Sequence, residues 1–191
     1  LTLGEFAAGM KENQEKFATN LLNADLGPDI QAKLEGANNS VRAVVIAEDW
    51  CGDVLRYIPV LMKLTELTNW QVRVFYRDQN LDLMDNWLKD GKHKAIPVIA
   101  FFDENWNELG YYQEKPASVY IDEANAIAEF GRIHADIPDA SLPYADMSQS
   151  TKDLYAPYML SFRAKKLQSW QSLFVDQVLS LANRQHELAR S

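Results

Sequence analysis

Val41-Arg-Ala-Val-Val-Ile-Ala47, followed by Glu48-Asp49-Trp50-Cys51-Gly52-Asp53-Val54 and an apolar run to Leu67, is the stretch that decides the fold. Val41 to Ala47 is almost continuously apolar and rich in Val, the pattern of a strand buried on both faces. Asp53 to Leu67 switches period. Val54, Leu55, Ile58, Leu61, Met62 and Leu64 share a helical face. Pro59 inside that helix removes one donor and predicts a kink. Outward from there, Gln71 to Tyr76 reads as a second strand, and Leu81 to Lys89 as a short helix closed by Gly91. Ile96 to Phe102 reads as a third strand, with Pro97 near its start where the ladder is spared. Asp103 to Asn105 is a turn and Glu108 to Tyr112 a fourth strand, so the last two form an antiparallel hairpin. Val119 to Phe130 is helical, with Gly131 as its stop. The first βαβ step implies parallel strands and a right-handed crossover.

The flanks read as helical. Phe6, Met10, Phe17, Leu21 and Leu22 predict one helical segment over 1–25, broken by Gly27-Pro28. A short helical piece over 28–35 and a loop over 36–40 follow. Residues 132–149 carry little periodicity and read as a connecting loop. From Lys152 onward Leu160, Leu167, Trp170, Phe174, Val178 and Leu181 form one apolar stripe. That stripe is expected to cover the α/β core or the N-terminal helix, with a dimer surface as the alternative. The expectation is one α/β domain over 1–191, with a core at about 41–131 and helical additions at 1–35 and 150–191.

Charge and cysteine content narrow the functions. Nineteen Lys and Arg against 27 Asp and Glu give a formal net charge of −8, which repels phosphate backbones. No basic run offsets it, so no nucleic-acid role is expected. No stretch is long and apolar enough to span a bilayer, and Leu1-Thr2-Leu3-Gly4-Glu5 does not read as a signal peptide. A cytoplasmic location is the expectation. The 191 residues include a single Cys. An intramolecular disulfide and cysteine-rich zinc or iron–sulfur sites are therefore excluded, and neither metal nor cofactor is expected.

That lone Cys51 sits between the first strand and the Pro-containing helix. A loop leaving the C-terminal end of a parallel strand is a common place for a site. A Cys at a helix start faces unpaired amides and the positive end of the helix dipole, which favour thiolate. Glu48, Asp49 and Asp53 act the other way by like-charge repulsion. The local pattern leaves two readings: a reactive thiol, or a small buried hydrophobe.

Trp50-Cys51-Gly52-Asp53-Val54, Pro59 eight residues after the cysteine, Gly91 before Ile96-Pro97-Val98, and Gly110 resemble the thioredoxin family over Val41 to Phe130. The pattern is most similar to a bacterial branch with a Trp-Cys-Gly-Asp-Cys or Trp-Cys-Pro-Asp-Cys motif. The resemblance implies a thioredoxin-like fold with a central mixed four-stranded sheet, an N-terminal helix and a C-terminal helical extension. It places Cys51 as the nucleophile, Trp50 beside it, Gly52 and Asp53 at the helix start, and Pro97 as the cis proline facing the thiol. Two features depart from the family. Val54 stands where the second motif Cys would resolve a mixed disulfide. Val45 stands where the family keeps a buried acid six residues before the first Cys.

Three functions follow from the resemblance. Cys51 could act as a monothiol, forming a mixed disulfide with glutathione, another low-molecular-weight thiol or a protein thiol, resolved from outside. The fold could serve as a non-catalytic module binding a partner or peptide along the edge near Pro97. Or the site could be vestigial, with function in the helical additions. A cluster-carrying monothiol role fits poorly, because Asp53 and Val54 replace the aromatic and the serine of that motif. A peroxidase pattern with Thr and Arg beside the Cys is not found. His93 is read as an exposed loop residue, with Cys51 activation as the sharper alternative, and Lys92 and Lys94 as candidate carboxylate binders. Arg56 is expected to pair with Asp53 at i,i+3, or Asp53 to cap the helix. Arg77-Asp78 reads as a solvent-facing turn, although the resemblance implies a position leading towards the substrate side. Glu114-Lys115-Pro116 reads as a helix-start signal, and Trp106, Tyr111 and Tyr112 as half-buried hairpin residues. His134 and His186 have no ligand spacing.

Overall fold

The computed structural model describes residues 1–35, 37 and 40–184. His186 and the end of the C-terminal addition lie outside the described residues. The helices are α1 (Leu3–Gly9), α2 (Gln14–Asn23), α3 (Ile30–Leu34), α4 (Gly52–Leu67), α5 (Ala117–Ile133) and α6 (Gln149–Ala182). The strands are β1 (Arg42–Ala47), β2 (Gln71–Tyr76), β3 (Val98–Phe102) and β4 (Glu108–Gln113). The chain divides into two compact units: Leu1–Lys115 with Gln171–Ser191, and Pro116–Trp170.

The first unit holds a mixed sheet in the order β2-β1-β3-β4. β1 runs parallel to β2, pairing Arg42 with Gln71 through Ala47 with Tyr76. It runs antiparallel to β3, which pairs antiparallel with β4. β1 therefore has a neighbour on each side, and its apolar run follows from that. Val45, Ile46 and Ala47 are inaccessible to solvent.

α4 passes unbroken through Pro59, which is buried. A proline lacks the N–H that would bond the carbonyl four residues back. That carbonyl belongs to Leu55, and the Asn20 side-chain amide of α2 donates to it at 2.7 Å. The next carbonyl, Arg56, accepts from Gln171 of α6 at 3.2 Å. The helix keeps its proline because two amide side chains satisfy the backbone around it. Gln171, Phe174, Val178 and Leu181 of α6 are buried in this unit. Phe174 stacks on Tyr57 of α4 (centroids 5.2 Å apart) and meets Tyr112 of β4 edge-on at 4.9 Å. The apolar stripe thus covers α4 and β4 over its C-terminal half, whereas Leu160 is exposed.

Several readings need correction. Residues 1–25 form two helices, not one. Asn13 takes a left-handed conformation, and the Asp49 carboxylate accepts from the Lys11 and Glu12 amides at 2.7 and 3.0 Å. Those amides would otherwise have extended α1. Residues 81–89 hold only a 3₁₀ turn, Leu83–Asn86, because the Asn86 side chain donates to Leu83 O at 2.9 Å and competes for the helical acceptor. Of the hairpin aromatics, Tyr112 is buried while Trp106 and Tyr111 are exposed.

In the second unit α5 and the first part of α6 form an antiparallel helical pair. Trp170 Nε1 donates to Asp122 at 2.8 Å and Arg163 pairs with Glu123 at 2.8 Å, while Phe130 packs against Tyr155 and Tyr158. Gly131 does not stop α5, which continues to Ile133. A Cβ there would lie 2.5 Å from Ser141 Oγ, so the glycine admits the connecting loop rather than ending the helix. Ser148 and Asp139 hold the start of α6. The Asp139 carboxylate accepts from the Ser148 amide and the Thr151 hydroxyl, bonds that pull its carboxyl down to about 2.

Candidate functional site

Cys51 is the N-cap residue of α4, immediately after the loop that leaves β1. Its carbonyl accepts the Leu55 amide at 3.1 Å, the first helical bond. The thiol is half-buried, and Sγ donates to Ile96 O at 3.5 Å. The Ile96–Pro97 peptide bond is cis, and Pro97 is buried. The segment leading to Pro97 therefore faces the thiol through the Ile96 carbonyl.

Electrostatics at the sulfur are mixed. Burial pushes the Cys51 thiol up, the largest influence. The Val54 and Asp53 amides face the sulfur and lower it, without forming a capping hydrogen bond. The Asp53 carboxylate raises it and the Arg56 guanidinium lowers it. Burial wins, so the thiol is mainly protonated at neutral pH. Asp53 does not cap α4. Its carboxylate pairs with Arg56 at i,i+3, so the two charges near the sulfur largely cancel. Gly52 is exposed at the first helical position.

Trp50 is exposed, and its ring lies under the Arg77 guanidinium, 4.7 Å from the ring centroid. Arg77 also pairs with Asp78 at 2.6 Å and donates to Lys94 O at 3.5 Å. The Asp78 amide donates to Glu48 Oε1 at 2.8 Å. Glu48 is buried, only 7% exposed, and burial pushes its carboxyl up. Sequence reasoning named Glu48 as a charge near the thiol and Arg77 as part of a turn, and it missed the contact of Arg77 with Trp50 and the bond of Glu48 to the Asp78 amide. The β1–β2 register held the signal: Ala47 pairs with Tyr76, so the next positions are Glu48 and Arg77.

Other candidates make contacts of their own. His93 is exposed and bridges in the backbone to Lys89. Lys94 pairs with Asp85 at 2.7 Å and Lys89 with Glu114 at 2.6 Å. Glu114 sits in a left-handed conformation and its amide donates to Pro97 O at 2.7 Å. The Gln113 side chain donates to Ala95 O at 3.3 Å. The carbonyls of residues 94 to 97 thus all accept from the chain itself. Among the described residues, no cluster of His, Cys, Asp and Glu could hold a metal ion, and no helix is long and apolar enough to cross a membrane.

A thioredoxin family model matches residues 1–125. The chain belongs to the thioredoxin family. The match begins at residue 1 and so takes in the helices before β1, which the resemblance over Val41 to Phe130 left out. Two solved structures share the thioredoxin-like fold. One is a protein of unknown function from Pseudomonas aeruginosa, 18% identical, covering 93% of this chain and 89% of that one with a TM-score of 0.65. The other is an HIV epitope-scaffold, 17% identical with the same coverage and a TM-score of 0.60. No curated protein matches the chain.

Proposed function

We propose that this thioredoxin-family protein carries one working thiol, Cys51, which forms a single mixed disulfide with a small thiol such as glutathione. The carrying observation is the half-buried Cys51 Sγ at the start of α4, beside the Ile96 carbonyl, with Val54 in the resolving position. Cys51 gives its proton to solvent, and the thiolate attacks one sulfur of oxidised glutathione. The S–S bond of glutathione breaks and a glutathione thiolate leaves. A second glutathione thiolate then attacks the glutathione sulfur of the adduct and releases Cys51, with oxidised glutathione re-formed. The raised thiol makes the first step slow at neutral pH and faster as pH rises. Incubation with oxidised glutathione at pH 7 and pH 9, read by intact mass, should show one glutathione per chain, formed faster at pH 9 and removed by excess reduced glutathione. A chain that stays unmodified at pH 9 while folded would overturn the reading. Rapid dithiol-type reduction of insulin would overturn the assignment of Val54.

A second reading, a non-catalytic module with a vestigial site, is supported by the same protonated thiol. It predicts that Cys51→Ser leaves the protein's cellular role intact, whereas the first reading predicts that it abolishes that role.

A further inference from the structure

We propose that Glu48 is a positioning residue for Cys51, a buried carboxylate that pins the Arg77–Gln79 turn and, through Arg77, holds two walls of the thiol site. The inference rests on Cys51 being the working thiol.

Three bonds or contacts join three separate loops. Glu48 Oε1 takes the Asp78 amide at 2.8 Å and so ties the loop after β1 to the turn after β2. Arg77, the first residue of that turn, is locked to Asp78 through Nε and one terminal nitrogen, at 2.8 and 2.6 Å. Its guanidinium lies over Trp50, the residue before Cys51. It also donates to Lys94 O, two residues before the Ile96 carbonyl that receives the thiol. Trp50 and the 94–97 segment are thereby held from one side chain.

Burying a carboxylate costs free energy unless it is paired and hydrogen-bonded. Among the described residues no cation forms an ion pair with this one. Burial and the like charges of Asp78 and Asp49 push the Glu48 carboxyl up, against the Asp78 amide and the Arg77 guanidinium, which lower it while Arg77 itself is engaged by Asp78. A neutral side chain would sit more comfortably there, so the useful property of Glu48 is its acceptor oxygen and its length. Glutamine keeps both. Alanine removes the acceptor, frees the Asp78 amide and lets the turn carrying Arg77 drift.

The direction of the effect follows from what raises the thiol. Burial is the largest cause, so loosening the walls exposes Sγ, lowers its pKa and opens the approach. Each unit by which the pKa falls gives about tenfold more thiolate at fixed pH below it.

The test is the iodoacetamide alkylation rate of Cys51 at pH 8, with folding checked by thermal melts. Glu48→Ala should alkylate about three- to tenfold faster than the natural sequence. Glu48→Gln should stay within about twofold of it. Arg77→Ala should raise the rate as Glu48→Ala does, and the double variant should be no faster than either single one. Equal rates for Glu48→Ala and the natural sequence would overturn the proposal, as would Glu48→Gln behaving like Glu48→Ala. If Glu48→Ala does not fold, Arg77→Ala decides: a natural-sequence rate overturns the proposal. Alkylation needs no disulfide exchange. Absence of a glutathione adduct with a normal response to Glu48→Ala therefore sinks the exchange reading and not the positioning of Cys51.

Discussion

At the residue scale the thiol's ionisation is a contest of named groups. The Asp53 carboxylate raises the Cys51 thiol and Arg56 lowers it, while burial outweighs both. Asp53→Asn removes a like charge and leaves Arg56 unbalanced, so both changes favour thiolate. Its alkylation midpoint should fall below that of the natural sequence, whereas Arg56→Gln should move it up. In a pH series with iodoacetamide, a midpoint that rises for Asp53→Asn or falls for Arg56→Gln would show that the Asp53–Arg56 pair does not govern the sulfur. Cys51 and Pro97 were legible in the sequence because both occupy motif positions with short, fixed spacing. Glu48 was legible only as a charge near the thiol, and its burial and its bond to the Asp78 amide were not, because both depend on the turn that follows β2.

At the element scale, α4 shows how a helix tolerates an internal proline. The Leu55 carbonyl loses its partner at Pro59 and gains the Asn20 amide. Asn20→Ala should cost roughly 1–3 kcal/mol, the penalty for leaving a buried acceptor unsatisfied. In a Pro59→Ala background the backbone N–H restored at that position can take the carbonyl, so the Asn20→Ala cost should shrink. Urea melts of the four proteins in this cycle would measure the coupling, and simple additivity would show that the proline and the amide are unrelated. The sequence predicted the strands and α4 closely, since burial on both faces of β1 and β3 leaves a plain apolar run. It failed where side chains compete with backbone. Asp49 ends α1 from 38 residues away, and Asn86 takes a helical acceptor next door. Neither competition has a periodicity to read. Gly131 was misread for the complementary reason. Its neighbour is Ser141, and local spacing alone does not reveal what a missing Cβ makes room for.

At the scale of the whole molecule, α6 belongs to both units, ending in the unit that carries the sheet. Phe174 contributes most visibly there, fully buried between Tyr57 and Tyr112. Phe174→Ala should cost about 3–5 kcal/mol, from lost burial plus the cavity left behind. Denaturant unfolding followed by tryptophan emission would register it, and a loss under about 1 kcal/mol would mean that α6 is not part of that core. The stripe of Leu160, Leu167, Trp170, Phe174, Val178 and Leu181 announced that the helix covers something. It left the α/β core, the N-terminal helix and a dimer surface all open, because a repeat at helical spacing carries no address.

That division of α6 has a temporal side. The sheet-bearing unit is discontinuous in the chain, interrupted by Pro116–Trp170. A ribosome adding about 5–20 residues per second needs several seconds to translate that interval. During those seconds α4 and β4 exist without Phe174 and Gln171, and Tyr57 and the Arg56 carbonyl await their partners. The Cys51 site is translated well before α6, and the packing behind its helix is completed only as the second half of α6 emerges.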